Sequence, residues 1–327
     1  INDFDEVHLK SYMETLLDFR AENKHHFSKI QTKSATDERV YFVDELITIT
    51  MILRNILFAD ANGLFMASNE KFKKLIFAIV KVAATTPSKF ILARKRLCLL
   101  KDCLLLLNKI SFSLELRSLE ETFLSYLLLT LFGVKIESPD ELYYANLDTY
   151  SYLLFGIDAF TKLLVREPYN RLLLQAVLTG NLSISSLQGA TFTSTSLNIS
   201  TKDQKETAHL IDGFFKNYPQ GSAAALKNGE LLTTSFQFFL SVLPLHLNTL
   251  EISKFFIIRS PTVSQALFGA KIVLDLIVNG EGLGLRELAC DWLNKFKEPL
   301  LQNLVSVCLS LAIDNRDINR HSHEHKV

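Results

Sequence analysis

Breakers of regular structure are scarce along this chain, with 12 Gly and 7 Pro in 327 residues, where average usage would give roughly 23 and 16. So few turn residues cannot serve the many tight reversals of a sandwich or barrel of short strands. Long helices are the alternative, and the apolar spacing agrees. Between Asp37 and Phe58, the residues Leu46, Ile49, Ile52, Leu53 and Ile56 recur at intervals of three, three, one and three, which is one stripe of an α-helix. A turn at Ala59 to Gly63 is expected to stop it.

A second helix is predicted after Ser68, read as its cap, from Phe72, Leu75, Ile76, Ile79 and Val80, ending at Thr85, Thr86 and Pro87. The next spans roughly Lys89 to Phe112 and leaves only a narrow polar strip at Lys101, Asp102, Asn108 and Lys109. A helix that apolar must be covered by neighbours on most sides. Ser118 to Glu121 reads as a capping box opening a helix over Thr122 to Phe132. Further helices are predicted over Asp148 to Arg166, Pro168 to Leu178 and Lys202 to Lys216.

Three more amphipathic helices follow in the C-terminal third, carried by Ala266 to Ile277, Leu285 to Phe296 and Leu301 to Leu311. Pro261 and Pro299 read as first-turn prolines, the second separating two helices. In contrast, Thr179 to Thr201 is rich in Ser, Thr, Asn and Gly and has no helical period. It is expected to be a mobile surface loop, and the residues 321–327 a disordered tail. The fold class expected is all-α, an armadillo/HEAT-like α-solenoid forming one domain over residues 1–320, with about seven units if each takes roughly 40 to 47 residues.

With 48% hydrophobic residues and 21% charged, the chain can bury a large core. The 35 basic and 35 acidic residues cancel, which removes any whole-molecule field attracting nucleic acid or an anionic membrane. The charge-free run Leu231 to Leu250 is interrupted by Thr233, Thr234, Ser235, Gln237, Pro244 and His246, so no membrane-spanning segment is expected. Cys98, Cys103, Cys290 and Cys308 show neither C-x-x-C pairing nor disulfide density, which favours a reducing compartment. The chain starts at Ile1 without a signal sequence and reads as a domain cut from a longer protein.

Catalytic chemistry finds no foothold. Gly280, Gly282 and Gly284 follow the strand-like run Ile272 to Val278, but Leu285 stands where a dinucleotide fingerprint needs glycine, and no Gly-Lys-Ser/Thr ending follows. They are read as cap and turn glycines. His321, His323 and His325 on a tail offer a metal no enclosed geometry, and the adjacent His25 and His26 need no function. No nucleophile elbow, zincin motif or Cys–His constellation is present. No catalytic, cofactor-binding or metal-binding residues are therefore assigned, no cofactor is expected, and the chain is read as a non-enzyme.

The informative departure from neutrality is the run from Lys71 to Lys101, where Lys71, Lys73, Lys74, Lys81, Lys89, Arg94, Lys95, Arg96 and Lys101 have no acidic residue among them. Two readings stay open: a solvated face whose counter-charges come from other helices, or a patch receiving an acidic segment or phosphates. Asn55 and Asn108 place amides on otherwise apolar helices. Each is either a satisfied cap or a contact to extended peptide in a groove. The candidate partner-binding residues are thus Lys71, Lys74, Lys89, Arg94, Lys95, Arg96, Asn55 and Asn108.

The stretch Ile49 to Met66, with Arg54, Phe58, Asn62 and Met66 at their intervals, resembles the armadillo-like C-terminal region of the ARID-bearing subunit of SWI/SNF chromatin remodellers. Ile110-Ser111-Phe112-Ser113-Leu114-Glu115-Leu116 is similar to that family's I-S-G-x-L-D-L turn, and Ser260-Pro261-Thr262-Val263 to its N-P-V segment. Phe112 stands where glycine is usual. That departure, the Ser/Thr-rich loop and the missing Trp-rich insertion of animal members point to a fungal one. The resemblance implies a nuclear, non-catalytic hub that binds other SWI/SNF subunits, including the N-terminal region of the ATPase subunit. It implies no direct DNA binding by this region. The competing expectation is a stand-alone helical-repeat adaptor taking acidic peptides or nucleic acid on the stretch 71–101.

Overall fold

The computed structural model describes residues 6–7, 9–25, 38–86, 89–90, 92–136, 141–166, 169–183, 199–244, 249–278, 285–302 and 305. Every regular element among them is a helix. In chain order these are α1 (Tyr12–His25), α2 (Glu38–Ile56), α3 (Asp60–Ser68), α4 (Glu70–Thr85), α5 (Ala93–Ile110), α6 (Leu119–Leu131), α7 (Leu153–Val165) and α8 (Tyr169–Thr179). There follow α9 (Thr201–Phe214), α10 (Gly221–Lys227), α11 (Glu230–Leu240), α12 (Thr249–Val278) and α13 over residues 286–302. The Ser/Thr-rich run 184–198, Gly280, Gly282, Gly284 and the histidine tail lie outside the described residues.

The helices pack as two rows. In one, α2 lies against α5, α5 against α7, and α7 against α12; in the other, α4 meets α6, α6 meets α8, and α8 meets α11. Contacts of α4 with α5, α5 with α6, α6 with α7, α7 with α8 and α11 with α12 join the rows. Apolar stripes on both sides of that seam form the core, from Ile76 and Val80 through Leu104, Phe123 and Phe160 to Phe239 and Val273. Helices α1 and α3 complete the cover of α5, and α9 lies on α6. Trp292 of α13 stacks on Phe236 of α11 with ring centroids 4.6 Å apart.

Several boundaries differ from the sequence reading, each for a local reason. Gly63 does not end a helix but lies inside α3. The Asn62 amide instead donates to the Ile56 carbonyl at 2.8 Å, closing α2 while α3 is already under way. The cap of α4 is Asn69, whose side chain accepts from the Phe72 amide; Ser68 ends α3 and its hydroxyl donates to the Phe65 carbonyl. Pro261 lies within α12, and Pro299 within α13, so neither starts a helix. A helix crosses a proline only by forgoing one backbone hydrogen bond. The strand-like run Ile272 to Val278 is the end of α12.

Length and composition would let Ile258–Val278 cross a bilayer, a segment outside the charge-free run considered above. One face of it is packed against the core, while Ile258, Leu267 and Phe268 stay exposed. Val263, Ala266, Ala270, Val273 and Ile277 are buried, and a Cβ on Gly269 would collide with the Phe239 ring.

The capping box of α6 forms in part: the Ser118 hydroxyl accepts from the Glu121 amide at 3.0 Å, while Glu121 accepts from the Arg117 amide. A second box, absent from the sequence reading, opens α1. There the Glu14 carboxylate accepts from the Ser11 amide at 2.8 Å and pairs with Lys135 at 2.8 Å. Burial pushes the Glu14 carboxyl up, but the hydrogen bonds from Lys135 and Ser11 outweigh it and hold it at about 2, below its ordinary 4.5. Its contribution is therefore present above the unfolded value and lost as pH falls through the folded one. The destabilisation caused by Glu14→Gln should be full at pH 7 and shrink steadily between about pH 5 and 2, read from urea melts across that range.

The segment joining α5 to α6 is clamped by Asn170 of α8. Its buried side chain accepts from the Leu116 amide at 2.9 Å and donates to the Leu114 carbonyl at 2.8 Å. Removing it leaves a buried donor and acceptor without partners, each costing about 1–3 kcal/mol. Asn170→Ala should thus lower stability by roughly 2–4 kcal/mol in chemical denaturation, whereas exposed Asn55→Ala should stay within about 0.5 kcal/mol.

Candidate functional site

The basic stretch is split by the fold. Four of its cations meet carboxylates: Lys73 with Glu70 at 2.8 Å, Lys81 with Glu120 at 2.8 Å, Lys95 with Asp44 at 2.6 Å, and Arg96 with Asp18 at 3.3 Å. Lys73 is only 1% exposed, so its pairing is internal to the α4–α6 seam. Arg94 lies 6.0 Å from the Phe19 ring centroid and Lys101 5.8 Å from that of Tyr152. Lys71, Lys74, Lys89 and Arg94 are exposed.

The two asparagines separate as well. The Asn108 amide donates to the Phe155 carbonyl at 3.1 Å and to Asp158 at 2.7 Å. Asp158 also accepts from Lys162 and from Gln265, so one carboxylate ties α5, α7 and α12 together. Asn108 is thereby committed to internal packing. Asn55 is exposed on α2.

The structure brings Lys89 to an open groove between α2 and α4. Phe42 and Leu46 form one wall, Leu75, Ala78 and Val82 the other, and the buried Ile79 and Phe90 the floor. Its volume is about 480 Å³. Charges stand only at its margins: Glu38, Arg39 and Lys89. Among the described residues the lining offers no hydroxyl, thiol or imidazole, and its groups of acid–base type are Glu38 and Lys89. Phe42 is well exposed, which marks the groove as a surface feature and not a core void.

Elsewhere, burial displaces two titratable groups from their ordinary range. Burial pushes the Cys103 thiol far above the thiolate range, with Asp102 adding to the effect. Burial likewise raises the Tyr126 phenol, against a hydrogen bond with Thr234. Among the described residues, no group of three or more His, Cys, Asp or Glu side chains is placed to hold a metal ion. Cys98, Cys103 and Cys290 are free thiols.

The motif around Arg54 is mostly architectural. Arg54 pairs with the buried Asp102 of α5 at 2.6 Å, and the Thr50 hydroxyl donates to the same carboxylate at 3.4 Å. Asn62 closes α2, and Met66 is buried. Phe58 is the exception: it is 69% exposed, as are in large part Leu64 and Phe65 of the following helix α3. At the second motif, Leu114 and Leu116 are buried, Arg166 donates to the Phe112 carbonyl and pairs with Glu115, and the Phe112 ring is 76% exposed.

No protein-family profile matches the chain. It is similar to the SWI/SNF chromatin-remodeling complex subunit SWI1 of Saccharomyces cerevisiae, 32% identical over 190 residues. The match covers 54% of this chain and 14% of that protein, so the chain spans about a seventh of the relative's length. The resemblance to a SWI/SNF subunit, and to a fungal one in particular, therefore extends beyond short motifs to about half of this chain.

Sequence reasoning missed the groove because its walls come from helices separated by the turn and helix α3. Each half has the ordinary apolar period of a core helix, and only the fold shows that Phe42 stands exposed among the described residues. For the SWI1-like motif itself, Arg54→Met strands Asp102 without its cation. Breaking one side of a buried pair costs roughly 3–5 kcal/mol. With Arg54 half-exposed, about 3 kcal/mol is expected in urea unfolding, with Asp102→Leu added to Arg54→Met recovering part of it.

Proposed function

We propose that the chain is a non-catalytic scaffold within a nuclear, ATP-dependent SWI/SNF chromatin remodelling complex, in which it binds other subunits, among them the N-terminal region of the ATPase subunit. The observation that carries the reading is its likeness to SWI1. The packing supports it: two rows of helices, each helix resting on its neighbours, are what an armadillo-like α-solenoid would need to offer its faces to others. In such a body, a filled core and paired buried charges serve rigidity, while exposed apolar side chains such as Phe58, Phe65 and Phe112 serve contact.

The chain, tagged and co-expressed with the SWI/SNF subunits of its own source, should retain several of them, the ATPase subunit included, through gel filtration. Recovery of the chain alone would contradict the proposal. A second reading, an adaptor for acidic peptides or nucleic acid on the stretch 71–101, draws on the exposure of Lys71, Lys74, Lys89 and Arg94. Under the scaffold reading, binding to random duplex DNA stays weak at physiological salt. Under the adaptor reading, affinity for DNA falls steeply with salt, and the slope flattens on reversing Lys74, Arg94 and Arg96.

A further inference from the structure

The groove between α2 and α4 has an apolar bed and a basic border. On α4, Lys71, Lys74, Leu75, Ala78 and Val82 follow one another at helical spacing and share one face. That face runs over about 16 Å at roughly 1.5 Å per residue, close to three turns of a helix laid against it. Its distal half is the groove wall, and its near half carries the exposed Lys71 and Lys74. Arg39 and Lys89 line the groove itself, where Glu38 is the one carboxylate among the described residues. Glu70, the acid nearest Lys71 and Lys74 in sequence, is already engaged by Lys73 and Arg117.

We infer that this groove docks an amphipathic helix of a partner protein, with its apolar stripe on Phe42, Leu75, Ala78 and Val82 and with acidic residues at its ends facing the basic border. The inference rests on the scaffold reading and specifies one contact of it. Charge complementarity selects this occupant. The chain's own residues 26–37, which lead into α2, carry Lys29, Lys33 and Asp37 and so bring the wrong sign. Nucleic acid presents phosphates but no apolar stripe to cover Phe42. An amphipathic helix supplies both features, in the manner of helix-in-groove recognition through anchors at i, i+3, i+4 and i+7.

The test uses the full chain and a fluorescein-labelled synthetic peptide of roughly 16 residues, with leucines at that spacing and glutamates at both ends, beside a twin ending in lysines. Fluorescence anisotropy should show saturable binding of the glutamate peptide and at least about tenfold weaker binding of its twin, the gap narrowing as salt rises. Ala78→Trp, which fills the groove from an exposed position, should weaken the glutamate peptide about tenfold or more with an unchanged thermal melt. Lys71→Glu with Lys74→Glu should narrow or invert the preference between the peptides. Equal affinity for both peptides, or indifference to Ala78→Trp, overturns the inference. So do binding that appears only after residues 26–37 are deleted, a self-association that Ala78→Trp abolishes, and competition by duplex DNA in place of the peptide. If the peptides fail while the chain still retains SWI/SNF subunits, the groove assignment falls and the scaffold reading stands. If the unaltered chain retains none, the scaffold reading itself falls.

Discussion

Helix α5 buries ten of its eighteen residues, and the polar ones among these are tied to other helices. A leucine-rich helix with so little polar surface is stable only when surrounded, because each fully buried leucine contributes roughly 1.5–3 kcal/mol that exposure would forfeit. It meets α1, α2, α3, α4, α6 and α7. The placement of those six helices follows from the need to cover α5, and the two-row arrangement extends from there. Asp102 adds direction to this non-directional force: by taking Arg54 and Thr50 from α2 it sets the rotation of α2 on α5.

A second layer of order comes from side chains that reach across the chain to satisfy helix ends. The carboxylate of Asp203 accepts from the Leu119 and Glu120 amides at the start of α6, and Glu22 accepts from the Ala93 amide at the start of α5. Such carboxylates neutralise otherwise orphaned amides and complement the positive end of the helix. Close approach has its own devices. A Cβ on Gly156 would come within 2.9 Å of the Leu129 carbonyl, so glycine there lets α7 lie directly on α6. Together these contacts lock helices whose apolar faces alone would tolerate sliding.

What the sequence made legible was the periodic part. The stripes of α2, α4 and α5 are regular and end at clear signals, and α6 to α9 fall within a few residues of their expected spans. Helix α3 was hidden because Asn62 and Gly63 look like a turn. Helix α11 was hidden because Thr233, Thr234, Ser235 and Gln237 break an apolar run. In the fold the Ser235 hydroxyl bonds back to the Leu231 carbonyl and the Gln237 amide reaches the Glu141 carbonyl. Polar residues that find such partners are compatible with a buried helix, and a linear pattern cannot reveal those partners. The same holds for the basic stretch: its charges were visible, but which of them Asp18, Asp44 and Glu120 would take depended on the fold.

The molecule therefore divides into a rigid spine and a receptive surface, and hydrogen exchange measures both at once. Amide exchange should be followed on the full chain, alone and assembled with SWI/SNF subunits. Helices α5, α6 and α7 should exchange slowest and equally in both states, with protection gained in α2 and α4 on assembly. Rapid exchange of α5 in the free chain, slowed only by assembly, would mean that partners build the spine, and would contradict that division.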